Sequence, residues 1–158
     1  MRRFLSILVS LTISLWLGGL VMIFVAVPTL FHTFAAARPV AGNAAAGIFH
    51  AFERYQLVLA AVGLLATFTW RLISGKRAAM LKTLCFMLLS LATVAAASST
   101  IFITPKIDAM RLLGATYGPD FGRLHGISMS LYFSESVLLL IAAVMLPSII
   151  ARDGSGRG

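Results

Sequence analysis

Four stretches of this chain, near residues 4–30, 53–73, 84–103 and 124–150, are almost free of charge in their interiors. Each reaches the ~20 residues that a helix rising ~1.5 Å per residue needs to cross ~30 Å of hydrocarbon. Charged residues gather at the edges of these stretches, and Glu135 alone sits deep inside one. Only 11% of the residues are charged and 59% are hydrophobic, against about 25% charged in a soluble domain. The expectation is all-α: a four-helix transmembrane bundle occupying one membrane domain, 1–152, with a short flexible tail at 153–158.

A net charge of +8 raises the question of nucleic acid. The basic residues cap apolar runs instead of lining one amphipathic face, so they read as topology signals and no nucleic-acid partner is expected. With four spans both termini share a side. Arg2, Arg3, Arg71, Lys76, Arg77, Lys82, Arg152 and Arg157 fall there, against Arg38, Arg54, Lys106, Arg111 and Arg123 on the other. The more basic side is expected to be cytoplasmic. Arg2-Arg3 before an apolar run resembles a secretory leader, but the run is too long for one, and a permanent span is expected. The single cysteine, Cys85, rules out an internal disulfide, a CxxC pair and a thiolate zinc cage.

Residue spacing assigns faces to the spans. Ser6, Ser10, Ser14 and Gly18 recur every four residues, a small-residue ridge expected to pack against another helix, within the bundle or in a homo-oligomer. Glu53, Gln56, Ala60, Gly63, Thr67 and Trp70 share one face of the second span, which should look inward. The 31–48 stretch is expected as an Ala-rich loop with at most a helical turn, and Thr104-Pro105-Lys106 as the end of the third span.

Polar chemistry concentrates between 104 and 135. On the fourth span His125, Ser128, Tyr132, Glu135 and Ser136 form one stripe. Glu135 lies ten residues past His125, ~15 Å deeper on a helix. A carboxyl at that depth costs roughly 2.5–3.5 kcal/mol, so it is expected to face a pocket opening outward past Tyr132 and His125. The candidate ligand-binding residues are Glu135, Tyr132, Ser128, Arg123 and Gln56. His32, His50 and His125 all fall toward the outer edge with Glu53, so these four are the candidate metal ligands, for copper or zinc. The methionines are scattered, without the Met-x-x-Met clusters of a copper(I) site.

Leu15-Trp16-Leu17-Gly18-Gly19, Pro28-Thr29-Leu30-Phe31 and Gly47-Ile48-Phe49 with Tyr55 resemble the first half of an uncharacterised bacterial membrane family, domain of unknown function 4149. Its eukaryotic relatives are transmembrane protein 205-like proteins linked to platinum-drug resistance. Thr104-Pro105-Lys106-Ile107 with Met110, and Phe121-Gly122-Arg123-Leu124-His125-Gly126-Ile127-Ser128, resemble its second half. Many relatives carry an amide near the position of Tyr132. The resemblance implies a multi-pass protein of the bacterial inner membrane, with a loose association with metal resistance and no established reaction. The Trp-x-Gly-Gly start is more distantly similar to CopD-type copper-resistance proteins and to membrane protoporphyrinogen oxidases.

Three functions follow as expectations. The first is a non-enzymatic protein that binds or moves a small ligand or metal ion through an outer-facing polar pocket. The alternatives are a haem-binding membrane oxidoreductase, with His125 as axial ligand and Glu135 relaying protons, and a structural subunit of a membrane complex.

Overall fold

In a computed structural model the chain is described at residues 1–73, 78–116 and 118–154, and it is helical almost throughout. Helix α1 spans Arg2–Thr33, α2 Arg38–Ile73, α3 Ala79–Ser98, α4 Thr104–Leu112 and α5 Pro119–Gly154. A 3-10 turn, Ala35–Ala37, joins α1 to α2, and a π-helical segment, Ser99–Ile103, joins α3 to α4. Four of these helical stretches are long and apolar enough to cross a bilayer. This is a multi-pass all-α bundle.

The long helices pack as a ring in the order α1, α2, α3, α5 and back to α1. Leu5, Val9, Ile13, Trp16, Leu20 and Ile23 of α1 turn inward, whereas Phe4, Ile7, Leu11, Leu15, Met22 and Val25 stay exposed. That outward apolar surface is what a bilayer covers, because lipid replaces water around it and the core needs only one stripe per helix. The second-span face behaves as its spacing predicts: Glu53, Gln56, Ala60, Gly63, Thr67 and Trp70 are all buried.

Three expectations change. The 31–48 stretch is helical from Arg38 onward, so α2 begins well before the apolar run that marks it in the sequence. Alanines and a proline in the first turn favour a helix there, although the segment is too polar to look like a span. As a result Glu53 is four turns into α2 and 2% exposed, not at the mouth. The third span likewise continues past Thr104-Pro105 into α4, with proline in the first turn of that helix, where its missing N–H costs little.

The small-residue ridge is the third. Ser6 is buried, but Ser14 and Gly18 are exposed, and a Cβ built on Gly18 would meet nothing within 4 Å. The close approaches lie on neighbouring positions instead. A Cβ on Gly19 would sit 2.6 Å from the Phe52 ring, and one on Gly63 would sit 2.8 Å from Thr12 Cγ2. The small residues that matter are those facing a bulky side chain on α1 or α2.

One end of the bundle gathers the start of α1 and the end of α5. The Arg2 Nε donates to the Ile73 carbonyl at 3.0 Å, and Lys82, at the start of α3, pairs with Asp153 at the end of α5. Asp153 therefore belongs to α5, not to a loose tail. Of the basic residues that define this end in the sequence, Lys76, Arg77 and Arg157 lie outside the described residues.

Candidate functional site

At the opposite end the helices splay around a cavity of about 530 Å³. Its walls come from Val27 and Phe31 of α1, the first turns of α2, the inner side of α4 and the first turns of α5. The length of α2 makes this possible. Arg38 to His50 add three turns that stand beyond the apolar run and form one wall. Phe49, Ile107, Phe121 and Met129 supply apolar surface, and His50, Asp108, Arg111, His125, Ser128 and Tyr132 supply polar groups.

A chain of contacts runs down the polar side. Arg111 donates to Asn43 Oδ1 at 2.7 Å and to Asp108 Oδ1 at 3.2 Å. Asp108 Oδ2 lies 3.0 Å from His50 Nε2, and His50 Nδ1 lies 3.8 Å from Glu53 Oε2. The other Glu53 oxygen accepts from the Thr104 hydroxyl and, at 3.3 Å, from the Tyr132 hydroxyl. Glu53 thus crosses from α2 to α5 under the cavity, with polar partners on three elements. Such partners are what a buried carboxyl requires, since taking it from water without them is very costly. Tyr132 is wedged between Phe49 and Phe52, ring centroids at 5.6 and 6.3 Å, which fixes its hydroxyl over Glu53.

The π-helical segment explains how one strand of helix supplies two partners. Ser99 is buried beside Tyr132, and Thr104 reaches Glu53 five residues later. In a regular α-helix five residues lie about 140° apart. The wider π turn reduces that angle, so both hydroxyls face inward.

One turn below, the polar groups lose their partners. Among the described residues, both oxygens of Glu135, both amide atoms of Gln56, Trp16 Nε1 and Ser99 Oγ are buried with no hydrogen bond. The Trp16 indole faces the Glu135 carboxyl, and Ser99 faces the Tyr132 hydroxyl, short of good hydrogen-bond geometry. Glu135 and Gln56 are completely buried.

Of the expected ligand-binding residues, Tyr132 and Ser128 line the cavity, Glu135 and Gln56 form the layer beneath it, and Arg123 is exposed and outside the lining. Of the expected metal ligands, His50 and His125 reach the wall, where His125 stacks on Phe121 at 6.2 Å. Glu53 is behind the wall and His32 is exposed at the end of α1. Among the described residues no three His, Cys, Asp or Glu side chains form a group able to hold a metal ion. Sequence reading assigned no site role to Arg111 and Asn43 of the contact chain or to Thr104. Asp108 and Arg111 carried a signal, being an (i, i+3) pair of opposite charge beside the polar stretch.

Comparison with curated proteins and with solved structures gives no match, and nothing supports the likeness to CopD-type copper-resistance proteins. A family model, domain of unknown function (DUF4149), matches residues 11–116. That interval holds α1 to α4, the Trp16 and Gly19 segment, Glu53, Gln56 and the Thr104-Pro105-Lys106 motif, and stops short of α5 and Phe121–Ser128. With the match covering more than half of the chain, this protein belongs to the DUF4149 family.

Proposed function

We infer that this protein binds a small amphipathic ligand in the cavity between the first turns of α2 and α5, and that it acts as a binding or transport protein. The supporting observation is the cavity itself. Its volume of about 530 Å³ falls within the roughly 300–1,000 Å³ of small-molecule sites, and it has the usual mostly apolar lining with a few convergent polar groups. Phe31, Phe49, Phe121 and Met129 suit an apolar body, and His50, Asp108, Arg111 and Tyr132 suit a hydrogen-bonding head. The positive-inside rule would place this end outside the cell, in keeping with a bacterial inner-membrane location.

Gly42 lines the cavity, and a Cβ there would meet nothing within 4 Å. Gly42→Trp therefore fills the space without a clash at its root. Native mass spectrometry of purified protein, equilibrated with total membrane and metabolite extract, should show a one-to-one small-molecule adduct that Gly42→Trp abolishes. An adduct-free wild type, or an adduct that survives Gly42→Trp, refutes the reading.

A further inference from the structure

Beneath the cavity lies a second feature that ligand binding does not use. Tyr132 forms the floor, and its contact with Glu53 fixes the level at which α2 and α5 meet. Both helices run away from the cavity. Gln56 and Glu135, each three residues further on, therefore lie ~4.5 Å deeper. α1 meets this level with Trp16, since Gly19 touches Phe52 and the Tyr55 hydroxyl reaches the Leu15 carbonyl at 3.4 Å. Ser99, beside Tyr132, completes the set from the π-helical segment. α1, α2, the π-helical segment and α5 thus each place a buried polar atom without a hydrogen bond of good geometry at or next to one layer.

Native interiors seldom leave such groups unsatisfied, because burial takes away their hydrogen bonds to water. Here one Glu53 oxygen accepts from Thr104 and Tyr132, with His50 3.8 Å from the other, whereas Glu135 one turn below faces the Trp16 indole without a hydrogen bond of good geometry. Two carboxyls at adjacent levels, one satisfied and one open, suit a proton that moves between them. Polar groups line the way inward as far as Tyr132: Asp108 to His50 at 3.0 Å, His50 to Glu53 at 3.8 Å, and Glu53 to the Tyr132 hydroxyl at 3.3 Å.

We propose that Glu135 is a proton-exchange site in the centre of the bundle, loaded from the cavity through Asp108, His50, Glu53 and Tyr132. The step is a transfer and consumes no co-reactant. A hydronium at the cavity gives its proton to the relay, the Tyr132 oxygen accepts from protonated Glu53 as its own proton leaves toward Glu135, and the Glu135 carboxylate becomes the neutral acid. Reversal returns the proton to the cavity. The groups that bear on the pair are His50 from α2, Asp108 and through it Arg111 from α4, and Tyr132 from α5. α1 and α3 with its π extension contribute Trp16 and Ser99, which do not ionise. Gln56, with an amide donor and acceptor both unused, can hydrogen-bond either protonation state. Proton relays are among the established uses of carboxyls inside membrane spans.

Infrared difference spectroscopy on protein in lipid nanodiscs tests this without any pocket ligand, so a cavity that binds nothing leaves the outcome unaffected. Wild type should show a carboxylic-acid carbonyl band that grows as pH is lowered and shifts in deuterium oxide. Glu135→Gln should delete that band, and Glu135→Asp should restore one at a displaced frequency. Tyr132→Phe keeps the ring packing and should slow the band's response to a pH jump roughly 100-fold, the lower end for loss of a positioned proton-transfer group. Should Glu135→Gln not fold, Glu135→Asp and Tyr132→Phe still decide the matter. A band that ignores pH, one unaltered by the Glu135 variants, one that follows sodium instead of protons, or a Tyr132→Phe response at the wild-type rate overturns the proposal.

Discussion

Lys82 and Asp153, 71 residues apart, form an ion pair that closes the end of the bundle opposite the cavity. The Lys82 side chain is fully buried, its ammonium lies 4.9 Å from the centre of the Trp70 ring, and the Trp70 indole donates to Asp153 at 3.1 Å. The three groups come from α2, α3 and α5, so one polar cluster fastens three helices at their ends.

Removing one partner should therefore cost much more than removing both. Lys82→Met leaves the Asp153 carboxylate facing an apolar side chain, and should destabilise the bundle by roughly 3 kcal/mol, the lower end for a broken buried pair because Asp153 keeps some exposure. Lys82→Met with Asp153→Leu should recover most of that loss. The check is a double-mutant cycle of unfolding in mild detergent. Additive losses would mean that the pair is not coupled.

The glycine contacts separate a packing position from an idle one. Thr12 is held by its own bond to the Leu8 carbonyl at 2.8 Å, so its methyl cannot easily retreat from a Cβ placed at Gly63. Gly63→Ala should lower stability by about 1–3 kcal/mol through overpacking. Gly18→Ala, in open space, should be neutral or slightly stabilising, since alanine is the better helix former by roughly 1 kcal/mol. Thermal melts of the two variants side by side decide it, and equal effects would place Gly18 at a helix contact.

These details show where the sequence is informative. Hydropathy marks Phe4–Leu30 and Leu84–Ile103 because lipid-crossing helices must be apolar around most of their circumference. Spacing marks the Glu53 to Trp70 face because a polar and small stripe does not face lipid. Neither signal reaches Arg38–His50, where a helix continues into polar sequence, so the cavity wall and the depth of Glu53 stay hidden. Four-residue periodicity finds Ser6 and Gly18 but cannot say which helical phase meets a neighbour, and the phase falls one position away, on Gly19. Lys82 reads as a loop charge because its partner Asp153 is distant in the chain. Glu135 is legible as a buried carboxyl. That its neighbour Glu53 takes the available donors becomes visible only once α2 and α5 are packed.

Orientation can be checked directly. The cavity and the Lys82–Asp153 cluster lie at opposite ends, and the more basic sequence segments accompany the latter. Reporter fusions after Gly75 and after Gly118 should report the cytoplasm and the outer side respectively. A reversed pair of signals would put the cavity on the cytoplasmic side, and the proton route would then load from within. The same compartment for both would contradict the four-span topology.

The final prediction concerns α4, which forms one wall of the cavity and has no buried residue of its own. Apolar packing therefore contributes little to holding it. Its attachments are polar: Thr104 to Glu53 at its start, Asp108 to His50 in its middle, and Arg111 to Asn43 near its end. Asp108 is the central one, because the same carboxylate also positions the Arg111 guanidinium at 3.2 Å. Asp108→Ala removes two partly exposed contacts, together worth about 1 kcal/mol. Local opening of α4 should then rise roughly fivefold, read as faster amide exchange between 107 and 113, with the exchange of α1, α3 and α5 unchanged. The melting temperature should hardly move, because global unfolding is governed by the long-helix core. If amide exchange accelerates equally in α5, then α4 and the bundle unfold as one unit, and the wall of the cavity is as rigid as its floor.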